Sequence, residues 1–211
     1  MLKEKKIKVC FIGNPNVGKS TLINRLLNSN VLQTSEYPGT TKSIVEKKLI
    51  WNEKEFTFLD TAGEYKKKDF NFNLLVKATR FSDIIILILD SSIDKLDKIH
   101  KKLAAHTLKS GKGLIIIFNK WDLIQNKKNK KNKLEKLIKN SLPQFDERKL
   151  IYISALRDTK FLRIFKYSIE IQKLLKSKMT TSNLNKWLRD IIRLKPPIRI
   201  KGKEIKFKYI V

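Results

Sequence analysis

Short apolar runs alternate along the chain with longer stretches in which apolar residues recur at helical spacing. The runs at 7–12, 44–51, 55–60, 84–90, 114–119 and 150–154 read as strands, and the stretches at 19–28, 70–81, 93–109, 132–141 and 159–176 read as helices. Strands and helices taken in turn build βα units, so the expected fold class is α/β, with a mostly parallel six-stranded sheet covered on both faces. No segment repeats internally. The tract 125–133 is nearly all Lys and Asn, too polar to bury, and is expected to be a solvated loop leading into a helix.

The pattern changes near residue 177. A helical run gives way to a short polar segment in which Ser182 reads as the N-cap of a helix over 183–194, halted by Pro196 and Pro197. A strand is expected over 204–211, with Ile205, Phe207, Tyr209 and Val211 on one face. The expected division is therefore 1–177 and 178–211. One helix and one strand cannot close a core, so the second unit reads as cut short.

Composition narrows the class. With 41% hydrophobic residues in separated blocks, the chain of 211 residues reads as globular, with room for one full α/β domain and a small appendage. Cys10 is the only cysteine, which excludes an internal disulfide and suits a reducing compartment. The longest unbroken apolar run, 84–89, is far below the ~20 residues that span a bilayer, so a soluble cytoplasmic protein with no membrane span is expected. Lys and Arg total 47 against 20 acids, a formal charge of +27 that draws the protein toward polyanions such as RNA or anionic lipid. The competing reading is that Lys is spread wherever any soluble residue serves.

Four motifs carry chemistry. Gly13, Asn14, Pro15, Asn16, Val17, Gly18, Lys19 and Ser20 match G-x-x-x-x-G-K-[ST], after a strand and at the start of a helix that continues with Thr21. In that context the glycines let backbone N–H groups turn around phosphates at a helix N-terminus, Lys19 reaches the β- and γ-phosphates, and Ser20 ligates Mg²⁺. Asp60, Thr61, Ala62 and Gly63 close the third strand, at the carboxyl edge where ligands of open α/β sheets collect. Asp60 is expected on Mg²⁺ through water, and Gly63 offers a backbone N–H to the γ-phosphate.

Asn119, Lys120 and Asp122 follow the fifth strand. A carboxylate at Asp122 accepts from guanine N1–H and the 2-amino group together, a donor pair that adenine lacks, so it selects guanine nucleotides. Lys120 is expected along the base plane and Asn119 as a brace for the phosphate loop. Ser154, Ala155 and Leu156, after the last strand, place the Ala155 N–H for guanine O6. His100 and His106, six apart on one predicted helix, read as surface residues, and Trp51, Trp121 and Trp187 read as core or hinge packing.

In this order the motifs resemble the translational GTPases that include Era, MnmE and Der (EngA). Pro38, Gly39, Thr40, Thr41 and Lys42 resemble the switch I segment of the last two. The tail, from Thr181 through Trp187 and the Pro196-Pro197 pair to Gly202 and Tyr209, resembles the junction between the second GTPase domain of the Der family and its KH-like domain. The resemblance implies a P-loop NTPase of Ras-like GTPase fold followed by an incomplete KH-like segment. It implies GTP and GDP as ligands, GTP hydrolysis, and a switch role in assembly of the large ribosomal subunit. Ribosomal RNA is then the partner of the basic charge, with no DNA partner.

Carried over by position, Thr41 joins Ser20 and Asp60 as a Mg²⁺ ligand, and Asn16 is the residue expected on a K⁺ ion. Lys19, Thr41, Gly63 and Asn16 are the candidate catalytic groups. The chain departs from the family in three respects: a single GTPase domain, Glu64 where an apolar residue is usual, and a shorter switch II over 64–73. These departures keep two rivals open, a nucleotide-binding module with negligible turnover and an RNA-binding fragment using only the KH-like end.

Overall fold

The structure is a computed structural model that describes residues 6–28, 33–36, 45–60, 76, 79–158, 160–197 and 207–210. Its strands are β1 (Lys6–Ile12), β2 (Gln33–Glu36), β3 (Val45–Trp51), β4 (Lys54–Asp60), β5 (Ile84–Asp90), β6 (Gly113–Asn119) and β7 (Leu150–Tyr152). They form one sheet in the order β2-β3-β4-β1-β5-β6-β7. β4, β1, β5, β6 and β7 run parallel, while β3 pairs antiparallel with both β2 and β4. The six expected strands are all present. The short β2, too polar to register as an apolar run, extends the antiparallel edge.

The described helices are α1 (Lys19–Leu27), α2 (Lys98–Lys109), α3 (Lys127–Ser141), α4 (Arg163–Lys176) and α5 (Thr181–Leu194). Alternation along β1 sorts the core into two layers. Ile7, Val9 and Phe11 join Leu22 and Leu26 of α1 and Phe165 of α4, whereas Cys10 and Ile12 join Leu103 and Ala104 of α2 and Leu134 and Ile138 of α3. β5 and β6 are buried along nearly their whole length, as central parallel strands must be, which is why their sequences read as unbroken apolar runs. β3 and β4 are joined through Asn52 and Glu53, both at positive φ (47° and 59°), the geometry of a tight two-residue hairpin.

Several boundaries differ from expectation for identifiable reasons. The tract 125–133 is not a loop: α3 begins at Lys127, started by Asn126, whose side chain accepts from the Asn129 N–H at 3.1 Å. Lys130 then folds back so that its Nζ donates to the Ser92 and Ile93 carbonyls at 3.0 and 2.9 Å. α2 begins five residues later than expected because the backbone remains extended at Asp97 (φ −59°, ψ 147°). Of the helix expected over 70–81, only Val76, Thr79, Arg80 and Phe81 are described; the first three are helical and Phe81 lies in a turn.

The chain divides into two compact units, Met1–Leu175 and Lys176–Val211. In the second, Thr180, not Ser182, caps α5, accepting from Asn183 N–H at 3.3 Å. Of the strand expected over 204–211, the described residues 207–210 adopt no strand. Ile210 instead exchanges two hydrogen bonds with the Asn185 carboxamide, its N–H donating at 2.9 Å and its carbonyl accepting at 3.0 Å. Among the described residues no helix is long and apolar enough to cross a membrane.

Candidate functional site

β1 ends at Ile12 and α1 begins at Lys19, so residues 13–18 must turn the chain at the carboxyl edge of the sheet. Sterics dictate where glycine stands in that turn. A Cβ on Gly13 would meet the Ile88 carbonyl oxygen at 2.3 Å, and one on Gly18, at φ +93°, would meet Asn119 Nδ2 at 2.2 Å. Asn16 also takes the left-handed region, at φ 62°, as asparagine tolerates best among residues with a side chain. Lys19 is only 7% exposed. Its ammonium donates to the Gly13 carbonyl at 2.7 Å and the Asn14 carbonyl at 3.0 Å, which fixes one cation against the loop at the positive end of α1. Asn14 reaches out to Asp97, its Nδ2 donating to Oδ2 at 3.1 Å, while Pro15, Asn16 and Ser20 are exposed and Val17 is buried.

Asn119, the last residue of β6, is 2% exposed and joins two loops. Its Nδ2 donates to the Val17 carbonyl at 2.7 Å, and its Oδ1 accepts from the Ala155 N–H at 2.8 Å. The brace expected of Asn119 is therefore present. The free Ala155 N–H expected for a base oxygen is not, because Asn119 already accepts it, so a base contact there has to share the proton. Lys120 follows in the left-handed region (φ 61°), and its Nζ pairs with Asp90 Oδ2 at 2.7 Å. Burial pushes the Asp90 carboxyl up, but the Lys120 ammonium and hydrogen bonds from Ser92 outweigh it and hold the group below the ordinary carboxylate value. Asp122 is half-buried in a short 3₁₀ turn, with Arg157 Nε 3.8 Å from its Oδ2.

These residues enclose a cleft of 230 Å³. Asn16, Gly18 and Thr21 from the first loop and helix, Asn119, Lys120 and Asp122 from the end of β6 onward, and Ser154, Ala155 and Leu156 after β7 all line it. That volume lies just under the ~300 Å³ at the small end of ligand pockets, room for one flat heterocycle with its remainder outside. Leu123, 70% exposed, also lines the cleft and was not among the expected residues; neither were Asp90 and Arg157. The position of Asp90 at the carboxyl end of β5 was a usable signal. A smaller cavity of 50 Å³ is lined by Asn14, Asp90, Asp97 and His100 among others. His100 is 2% exposed, which corrects its assignment to the surface: α2 turns that face onto the sheet. Burial lowers its pKa below 6.5, with Asp97 opposing and Lys19 adding to the shift.

Thr41, Thr61, Ala62 and Gly63 lie outside the described residues, as do Glu64 and the switch II segment. Asp60 closes β4 in register with Phe11 of β1.

A family described as 50S ribosome-binding GTPase matches residues 8–120. The chain is 38% identical over 215 residues to GTPase Der of Buchnera aphidicola subsp. Acyrthosiphon pisum (strain 5A), covering 99% of this chain and 47% of that one. It is 32% identical over 213 residues to GTPase Der of Natranaerobius thermophilus, covering 98% and 48%. The chain thus spans about half the length of the curated relatives it matches. Among solved structures it is similar to Era of Aquifex aeolicus bound to GDP and AlF4−, with a TM-score of 0.59 and 28% identity, covering 83% of this chain and 58% of that one. Era in complex with MgGDPNP and part of 16S ribosomal RNA gives the same score and identity, covering 83% and 59%.

Proposed function

Because the chain belongs to the 50S ribosome-binding GTPase family, we propose that its cleft binds GTP and GDP, that it hydrolyses GTP, and that it acts as a switch in assembly of the large ribosomal subunit. The observation that carries the reading is the double hydrogen bond of Asn119, which ties the phosphate loop at Val17 and the loop at Ala155 to the strand end that leads into Asp122, in a single cleft. Lys19 and the loop N–H groups bind the phosphates. Asp122 accepts from guanine N1–H and the 2-amino group once Arg157, only 3.8 Å away, yields. Gly63 contributes its N–H at the γ-phosphate.

Ser20, exposed in the first turn of α1, offers a hard hydroxyl oxygen of the kind Mg²⁺ takes, and Thr41 and Asp60 complete the proposed set. A magnesium ion there neutralises phosphate charge. Asn16, exposed and lining the cleft, offers a carboxamide oxygen for K⁺. The +27 charge and the description of the matched family, 50S ribosome-binding GTPase, support the ribosomal part of the reading, with the cytoplasm as the proposed place of action. Single-turnover phosphate release tests it: turnover is expected in K⁺ and is expected to slow in Na⁺. Tight GTP binding without release in either salt replaces the enzyme by a nucleotide-binding module.

A further inference from the structure

The positive charge is not evenly spread over the two helical layers. α2 and α3, which cover one face of the sheet, hold eleven lysines and one acid, Glu135. α1 and α4, on the other face, hold six cations and one acid, and one of the six is Lys19, buried in the phosphate loop. The sharpest concentration is on α3. At ~100° per residue, positions 128, 129, 132, 133, 136, 139 and 140 share an arc of about 140°. All seven are exposed, and all are Lys or Asn.

A helix face that serves only solubility mixes Lys with Glu, because like charges three or four residues apart repel and opposite ones attract. Here Lys133 and Lys136, and Lys136 and Lys139, stand three apart; the one acid of the helix, Glu135, lies at the edge of this arc and pairs with Lys131 at 3.7 Å, and the first turn carries no acid to complement the helix dipole. That repulsion is relieved when a polyanion covers the face. We propose that this Lys/Asn face of α3 is a docking surface for RNA, with Lys128, Lys133, Lys136 and Lys139 on phosphates and Asn129, Asn132 and Asn140 on ribose hydroxyls. A carboxamide both donates and accepts, as the 2′-OH does.

An anionic membrane suits the face less well. Surface-seeking helices insert an apolar side, whereas the apolar residues of α3 are turned to the core: Leu134 and Ile138 are 1% and 0% exposed, and Leu137 is partly buried against the same cluster. The inference rests on the ribosomal reading for the class of polyanion and is independent of the nucleotide cleft.

The test compares two variants of the full chain that lose equal charge: Lys128, Lys133, Lys136 and Lys139→Gln on α3, and Arg163, Lys166, Lys173 and Lys176→Gln on α4. Poly(U) binding is titrated across salt, with GDP affinity and thermal unfolding measured alongside. The α3 variant is expected to lose ~30-fold in affinity. Its log–log salt slope should fall by about 3, at about 0.7 per phosphate contact. The α4 variant should lose under about threefold, and Lys→Arg at the same four α3 positions should keep binding, which separates charge loss from misfolding. Equal losses in the two Gln variants, or loss of phosphatidylserine-vesicle binding with poly(U) binding unchanged, overturn the proposal. GDP affinity reports separately on the cleft: its absence from the wild type, with RNA binding through α3 intact, counts against the nucleotide reading alone.

Discussion

The two ends of the cleft are built by opposite means. At the phosphate end, shape comes from the backbone and from missing side chains: Gly13 and Gly18 stand where any Cβ would collide, and Lys19 is held by two loop carbonyls. At the base end, shape comes from charged side chains held in pairs, Lys120 with Asp90 and Asp122 with Arg157. The first end tolerates no added atom. On the proposed reading the second tolerates change in bulk but not in donor and acceptor pattern, and is the end proposed to set specificity.

Substitution at the phosphate end is expected to have the largest effect. Gly18→Ala forces a strained φ and drives a methyl group into Asn119 Nδ2, and is expected to cost about 1–3 kcal/mol of stability and more than ~100-fold in GDP affinity. Urea unfolding and titration calorimetry check both, and an affinity within about threefold of wild type breaks the steric account. Asn119→Ala tests the link between the ends. It leaves the Val17 carbonyl and the Ala155 N–H without the partner they now share, and about 2–4 kcal/mol of destabilisation with ~10-fold weaker GDP binding is expected. If stability falls while GDP affinity holds, the two ends are independent.

The smallest effect is a pH dependence beneath the phosphate loop. His100 is kept neutral by burial, and its folded pKa lies below 6.5. The unfolded chain therefore takes up the proton first: stability is full above pH 6.5 and declines as pH falls from there toward the folded value. His100→Gln should flatten that part of the stability curve. An unchanged slope assigns it to other groups.

Legibility followed how local each cause is. β5 and β6 could be read almost to the residue because burial on both faces leaves an unbroken apolar signal. The phosphate loop was equally readable, since the spacing of Gly13, Gly18, Lys19 and Ser20 between a strand and a helix is itself the signal, although the atoms that exclude a Cβ there, the Ile88 carbonyl and Asn119 Nδ2, come from β5 and β6. α3 was misread at its start: seven lysines and three asparagines in fifteen residues look like a loop until Leu134 and Ile138 find the core and Asn126 caps the first turn. His100 was misread because six-residue spacing says how two histidines relate to each other, not which of them faces the sheet. The pairing of Asp90, at the end of β5, with Lys120, just after β6, depends on the pairing of those two strands, which no local pattern records.

The central claim is that one carboxylate at the base end selects guanine. Competition between GDP and ADP, measured for the wild type and for Asp122→Asn, tests it most directly. The account predicts a wild-type preference for GDP of about 1,000-fold or more that largely disappears in the variant, while affinity for the phosphates alone is kept. ADP binding as tightly as GDP to the wild type, or an undiminished preference in Asp122→Asn, would contradict it.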